Sequence, residues 1–303
     1  MRAVIWGCRG SLATPGKDTV RYGGNTSCVE VQAADGTEII LDAGTGIRPL
    51  GIELESRGVT TVHLLLSHLH LDHLQGLGFF QPLFREGVQV HIWGPSSPTV
   101  SLRDRIGVYL SPPLFPVSIS QLPSQVTFHD APDQRWQIGS ATVLALNIAH
   151  QGSTIGFRIE EGGRSLAYLP DHEPSLGVDL RSLGPEWMSG HDLAREVDVL
   201  LHDAQYSEEE YPSHEGWGHS SIEHMLTFAS LAKAKRVVLF HHDPLHSDSQ
   251  MEDLLVRARQ LWDGPPGALE PAYEGMEIDL PAAPDQTTGS LVENLAGEAQ
   301  AGT

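Results

Sequence analysis

Residues 67–73 read Ser67-His68-Leu69-His70-Leu71-Asp72-His73 and follow directly on the largely apolar run from Val62 to Leu66. That run is bounded by polar residues and reads as a buried strand, so the polar cluster stands where a strand ends. In extended backbone, side chains two residues apart face the same way. His68 and His70 can therefore offer both imidazoles to one ion at about 2.0–2.1 Å. Asp72 and His73 fall on the following turn. If a helix begins there, adjacent side chains diverge by about a quarter turn, which suits a second ion beside the first. The bland alternative is a solvated polar loop. It would leave four ligand-type residues at the mouth of a buried strand, where desolvation is costly without a cation.

Two ions need ligands from elsewhere in the chain. Histidine is plentiful, 16 residues against 6 Tyr and 6 Trp. Three candidates stand at comparable strand ends: His150 after the run to Asn147, Asp171 after the run to Leu169, and His241 or His242 after the run to Phe240. A carboxylate between two cations can bridge them, and that is the role expected of Asp171.

The surrounding chain alternates short β-rich runs with turns. Strands are expected at 3–6, 27–32, 38–41, 62–66, 89–93, 141–147, 153–159, 165–168, 197–201 and 236–240. Helices are expected around 48–56, 76–80, 221–232 and 251–261. The Pro-rich stretch from Pro112 to Pro123 reads as a surface excursion near the site. From Pro281 the sequence turns small and polar, which predicts a disordered tail over 281–303. Two β-rich halves are compatible with an old duplication.

Nineteen Lys and Arg stand against 39 Asp and Glu, a formal net charge of −20, and no basic patch interrupts it. Such a chain repels polyanions, so nucleic acid is not the expected partner. Cys8 and Cys28 are too few for a disulfide framework and read as reduced thiols. No apolar stretch reaches the roughly 18 residues that span a bilayer, and MRAVIWGCRGS has no long apolar leader segment. The expected location is cytoplasmic with no membrane partner, and a homodimer is compatible with the reading.

Four ordered segments carry a family resemblance: SHLHLDH at 67–73, IAHQGSTIGF at 148–157, LAYLPD at 166–171 and VVLFHHDP at 237–244. They resemble the signature motifs of the metallo-β-lactamase-fold hydrolases. GCRGSLATPG at 7–16, GGNTSC at 23–28 and LDAGTG at 41–46 resemble the phosphodiesterase branch, which holds ribonuclease Z and the phosphoribosyl cyclic phosphate phosphodiesterases. The resemblance spans residues 1–280. It implies an α+β chain folded as one domain, a four-layer αββα sandwich, with the site at one edge of two sheets. It also implies two divalent cations, Zn2+ or Mn2+. His68, His70 and His150 would hold one, Asp72, His73 and His241 the other, with Asp171 between them. His241 fits better than His242, although spacing alone leaves both open. VDVLLHDAQY and GWGHSSIEHMLTFASLA resemble further ribonuclease Z segments and imply Asp203 as orienter and His219 as proton donor.

The resulting expectation is a dinuclear phosphodiesterase for a small substrate, a cyclic phosphate or cyclic nucleotide. Asp72 or Asp171 would position the nucleophile, and His219, held by Asp203, would protonate the departing oxygen. A ribonuclease Z-like tRNA 3′ endonuclease would share every metal ligand. The charge and the short, non-basic segment between Asp171 and Asp203 weigh against it. A carbon-ester or thioester hydrolase would leave Asp203 and His219 without a task, and a non-catalytic metal-binding module would not need open ligand positions.

Overall fold

A computed structural model describes residues 1–174 and 176–283. One sheet holds β1 (Arg2–Gly7), β2 (Cys28–Gln32), β3 (Glu38–Leu41), β4 (Thr61–Leu65), β5 (Gln89–Gly94), β6 (Gln125–Asp130) and β14 (Glu277–Asp279), in the order β14-β1-β2-β3-β4-β5-β6. The other holds β7 (Trp136–Ile138), β8 (Ala141–Asn147), β9 (Ile155–Glu161), β10 (Arg164–Leu169), β11 (Val199–Asp203), β12 (Val237–Phe240) and β13 (Leu269–Pro271), in the order β13-β12-β11-β10-β9-β8-β7. Each sheet runs through three antiparallel pairings and then three parallel ones. The two β-rich halves therefore share one pairing plan.

Alternation explains why the sheets stack. In β1 the buried residues Ala3 and Ile5 alternate with partly exposed ones, and the inward set meets Val143, Phe157, Tyr168 and Leu201 of the second sheet in one apolar cluster. The strands β3, β11 and β12, with parallel neighbours, are buried on both faces. Ile40, Leu64 and Ile92 turn outward under α1 (Ile47–Ser56) and α3 (Leu102–Tyr109). Ala167, Leu200 and Leu239 turn outward under α4 (His191–Ala194), α5 (Ile222–Ala232) and α6 (Asp248–Leu261). Helix, sheet, sheet, helix is the expected αββα order.

Several local readings need correction. The helix expected at 76–80 is a single 3-10 turn, Leu77–Phe79, and the regular turn comes earlier as α2 (Leu71–Leu74). The expected strand at 153–159 starts later, at Ile155. The Pro-rich stretch is an irregular segment with one 3-10 turn, Ile119–Gln121, and its Phe115 packs on Phe79 and Tyr109. Of the tail expected at 281–303, residues 284–303 lie outside the described residues. Among the described residues no helix is long and apolar enough to cross a membrane.

Candidate metal centre

The site lies at the carboxyl ends of β4, β8, β10, β11 and β12, where the strands leave the sheets and loops supply side chains. His70, in extended conformation, is the N-cap of α2, so His68 and His70 precede the helix while Asp72 and His73 sit in its first turn. The change of backbone geometry sorts the four residues into two groups. His68, His70, His150 and Asp171 offer ligand atoms all within 4.8 Å of one another, and so do Asp72, His73, Asp171 and His241. Asp171 is common to both.

Hydrogen bonds to the far nitrogen fix how each imidazole faces the centre. His73 Nδ1 donates to Asp42 Oδ2 at 2.7 Å and His241 Nδ1 to Gln205 Oε1 at 3.0 Å. His150 Nδ1 donates to the Gly218 carbonyl at 2.7 Å. His68 Nδ1 donates to Ser67 Oγ at 3.0 Å, and that hydroxyl donates onward to Asp42 Oδ2 at 2.8 Å. These partners assign the tautomers, and in each case Nε2 turns inward as a lone pair.

Ligand-type atoms then converge on two neighbouring points. His73 Nε2 and His241 Nε2 lie 3.4 Å apart, and both approach Asp171 Oδ1, at 2.9 and 3.2 Å, and Asp72 Oδ2, each at 3.2 Å. His150 Nε2 faces His70 Nδ1 at 3.2 Å. Among the described residues, buried His68 Nε2 and Asp171 Oδ1 have no properly directed hydrogen-bond partner. Carboxylate oxygens and imidazole nitrogens packed this closely repel unless protons or a cation lie between them, so the residues present fit divalent metal binding.

The electrostatics agree. Burial pushes the His68 pKa well below the usual imidazole range, which keeps a neutral ligand. Burial also opposes charge on His73, but the Asp171, Asp72 and Asp42 carboxylates outweigh it and raise its pKa well above that range. In the protein alone, a proton on His73 does part of a cation's work. Asp171 is fully buried, yet the surrounding imidazoles hold its carboxyl well below the ordinary value.

His241 and His242 part company at this point. His241 adopts a left-handed backbone, φ +59°, which swings its ring into the centre. It packs against Gly10, where a Cβ would stand 2.5 Å from His241 Nδ1. A glycine in the opening GCRGS segment is thus required by a candidate ligand 231 positions later in sequence. His242 turns away and donates Nε2 to the Ala272 carbonyl at 2.9 Å, and burial pushes its pKa down to about 3.

Asp203 ends β11 and His219 precedes α5, whose N-cap is Ser221 rather than the neighbouring Ser220. His219 Nδ1 donates to Asp203 Oδ2 at 2.7 Å. Asp203 also accepts the amides of His172, Gln205 and Ser220 at 3.1–3.2 Å. Its oxygens are occupied by donors, although it lies near His219 and His241 in a third group of ligand-type atoms. Burial opposes charge on His219, but Asp203, with Asp171 and Asp72 farther off, raises its pKa to about 9. The ring stacks on His241 at 4.9 Å.

Other residues were not singled out from the sequence. Asp42, with φ +62°, accepts from Ser67, His73 and the Tyr168 hydroxyl. Gln205 holds His241 and reaches Ser11 Oγ at 3.3 Å, while Ser11 N donates to Asp72 Oδ2 at 2.8 Å. A polar residue directly after an apolar strand was the available signal for Asp42. Gln205 carried none.

A family model described as a β-lactamase superfamily domain matches residues 37–242, more than half of the chain. The chain belongs to this superfamily. Its curated relatives include a ribonuclease Z of Myxococcus xanthus, 25% identical over 80% of this chain and 88% of the relative. An uncharacterised protein of Mycobacterium tuberculosis is 28% identical over 88% of each. Among solved structures, a diphosphatase of the PhnP family shares the fold with a TM-score of 0.65 at 17% identity, covering 93% of this chain and 98% of its own. The metallo-β-lactamase fold and the His/Asp cluster are the superfamily features that the chain displays.

Proposed function

We propose that this superfamily hydrolase is a cytoplasmic, dinuclear phosphodiesterase acting on a small substrate, with two divalent cations, Zn2+ or Mn2+. The observation that carries the reading is the pairing of two ligand groups sharing Asp171 with a histidine, His219, held by a carboxylate that is itself saturated with donors. His68, His70, His150 and Asp171 would hold one cation, and Asp72, His73, Asp171 and His241 the other. Such ions supply Lewis acidity, lowering the pKa of water towards neutrality and offsetting the charge of a phosphodiester.

The protein's own groups do the rest. Asp72, fixed by the Ser11 amide, orients the attacking water. The water, having released one proton to solvent, bonds through its oxygen to phosphorus as the ester P–O bond breaks, and His219 passes its Nε2 proton to the departing alkoxide. Asp203 keeps that proton available near neutral pH by stabilising the imidazolium. A carbon ester or thioester would make less use of this pair.

The name of the Myxococcus relative supports phosphodiester chemistry and favours a second reading, cleavage of RNA. The net charge of −20 weighs against it. So does the segment between Asp171 and Asp203, where Arg181 and Arg195 are outnumbered by Glu173, Asp179, Glu186, Asp192, Glu196 and Asp198.

The test is hydrolysis of bis(p-nitrophenyl) phosphate, a cyclic sugar phosphate and a precursor tRNA by protein reconstituted with Mn2+ or Zn2+, with a thioester and a lactone as counter-substrates. Turnover of the small diesters that Asp171→Ala abolishes is expected. Cleavage of the RNA alone would move the reading to the nuclease, and cleavage of the thioester or lactone alone would refute it.

A further inference from the structure

The loop that leads into His219 carries Trp217, and its backbone is gripped from beneath. Glu173, only 1% exposed, accepts the Gly216 amide on Oε1 at 2.8 Å and the Gly218 amide on Oε2 at 2.6 Å. One buried carboxylate thus holds the peptide groups on either side of Trp217. Its Oε1 also takes the Tyr211 hydroxyl at 2.7 Å. The Gly216 carbonyl accepts from Gln151 Nε2 at 3.0 Å, the Gly218 carbonyl accepts from His150 Nδ1, and the Trp217 amide donates to the His214 carbonyl at 2.9 Å. Gly216 and Gly218 have φ +82° and +90°, the left-handed region that glycine enters freely. At Gly218 a Cβ would also stand 2.3 Å from His150 Nδ1.

The indole does not share this confinement. Trp217 is 58% exposed and, among the described residues, belongs to none of the three apolar clusters. Its ring meets His214 edge-on at 4.8 Å, His214 stacks on Tyr206 at 4.3 Å, and Tyr206 meets His219 edge-on at 6.1 Å. Leu71, between His70 and Asp72, and Leu12, beside Ser11, are each about 60% exposed next to residues of the centre. A large ring on a backbone held one residue from the carbonyl that orients His150, yet itself left open to solvent, adds little to folding and is available to a ligand.

Resting on the phosphodiesterase reading, we propose that Trp217, carried on a firmly held backbone, is a stacking platform for a planar heteroaromatic ring, a nucleobase, on one ester arm of the substrate. Base–aromatic stacking is tolerant of ring identity because every base has a π-face. The site would therefore prefer nucleotide diesters over base-free ones without strong choice among bases.

Two measurements test this. The first compares kcat/KM for a cyclic nucleotide with that for the base-free cyclic ribose phosphate. In Trp217→Ala the ratio should fall by about tenfold, mostly through KM, and Trp217→Phe should retain most of it. An unchanged ratio, or equal losses on both substrates, would overturn the proposal. The second is calorimetric binding of adenosine monophosphate against ribose 5-phosphate. Wild-type protein should prefer the nucleotide and Trp217→Ala should not. If wild type hydrolyses neither diester, the phosphodiesterase reading fails. The binding comparison then decides the platform alone, since loss of the preference in Trp217→Ala upholds it and an equal preference in both proteins overturns it.

Discussion

His73 Nδ1 rests on Asp42 Oδ2 at 2.7 Å, and that contact leaves Nε2 facing Asp171 and Asp72. Asp42 lies outside both candidate ligand groups. It accepts four donors, the Ser67 amide and hydroxyl, the His73 ring and the Tyr168 hydroxyl. An asparagine there has one acceptor oxygen and turns N–H groups towards donors. Asp42→Asn should therefore weaken Zn2+ or Mn2+ binding by about 10–100-fold in calorimetric titration. Unchanged affinity in a folded variant would show that Asp42 does not set the ring.

Asp171 belongs to both ligand groups, whereas His70 and His241 each belong to one of those. Elemental analysis should find that Asp171→Ala retains neither ion. His70→Ala and His241→Ala should each retain the ion of the untouched group. Equal retention in all three variants would break the assignment of Asp171 as the shared ligand.

Adjacent histidines make a sharp pair of variants. His241→Ala removes a group at the acceptor focus and should lose the ion of its own group while keeping most of its stability. His242→Ala leaves the Ala272 carbonyl unpaired and a cavity behind, so it should keep metal and lower Tm, with a cost of about 1–3 kcal/mol. The reverse pattern would make His242 the ligand.

The proton donor predicts a pH signature. Burial opposes charge on His219, and the Asp203 carboxylate overcomes it to raise the pKa to about 9. The acid form is thus present below that value and lost above it, so the rate should fall on the alkaline side. Cations bound nearby repel the imidazolium and set that limb at or below pH 9. Asp203→Asn removes the largest raising influence and should move the limb to lower pH. His219→Ala should cost an alkyl diester about 10²–10⁴-fold and a p-nitrophenyl diester far less, because p-nitrophenolate leaves without a proton. Equal losses on both substrates would remove His219 from that role.

Much of this arrangement was legible in local pattern. The strand to Leu66 followed by His68 and His70, and the turn of helix that carries Asp72 and His73, follow from apolar runs and from the two periodicities of extended and helical backbone. Asp171 and His241 were visible as polar residues at strand ends. What stayed hidden depends on distant partners. β13 and β14 are three residues each and exist because β12 and β1 offer unpaired edges. Asp42 acts through a left-handed backbone and a tyrosine 126 residues away. Glu173 acts through two glycine amides more than 40 residues on. The choice between His241 and His242 rests on one backbone angle, which spacing does not encode.

The central claim is that two cations gathered around Asp171 make this centre a phosphodiesterase. The most direct measurement titrates metal-free protein with Mn2+ or Zn2+ while following hydrolysis of bis(p-nitrophenyl) phosphate. Turnover should emerge as the second equivalent binds and should be absent from Asp171→Ala at any metal concentration. Turnover that saturates at one equivalent, or that proceeds without metal, would contradict the account.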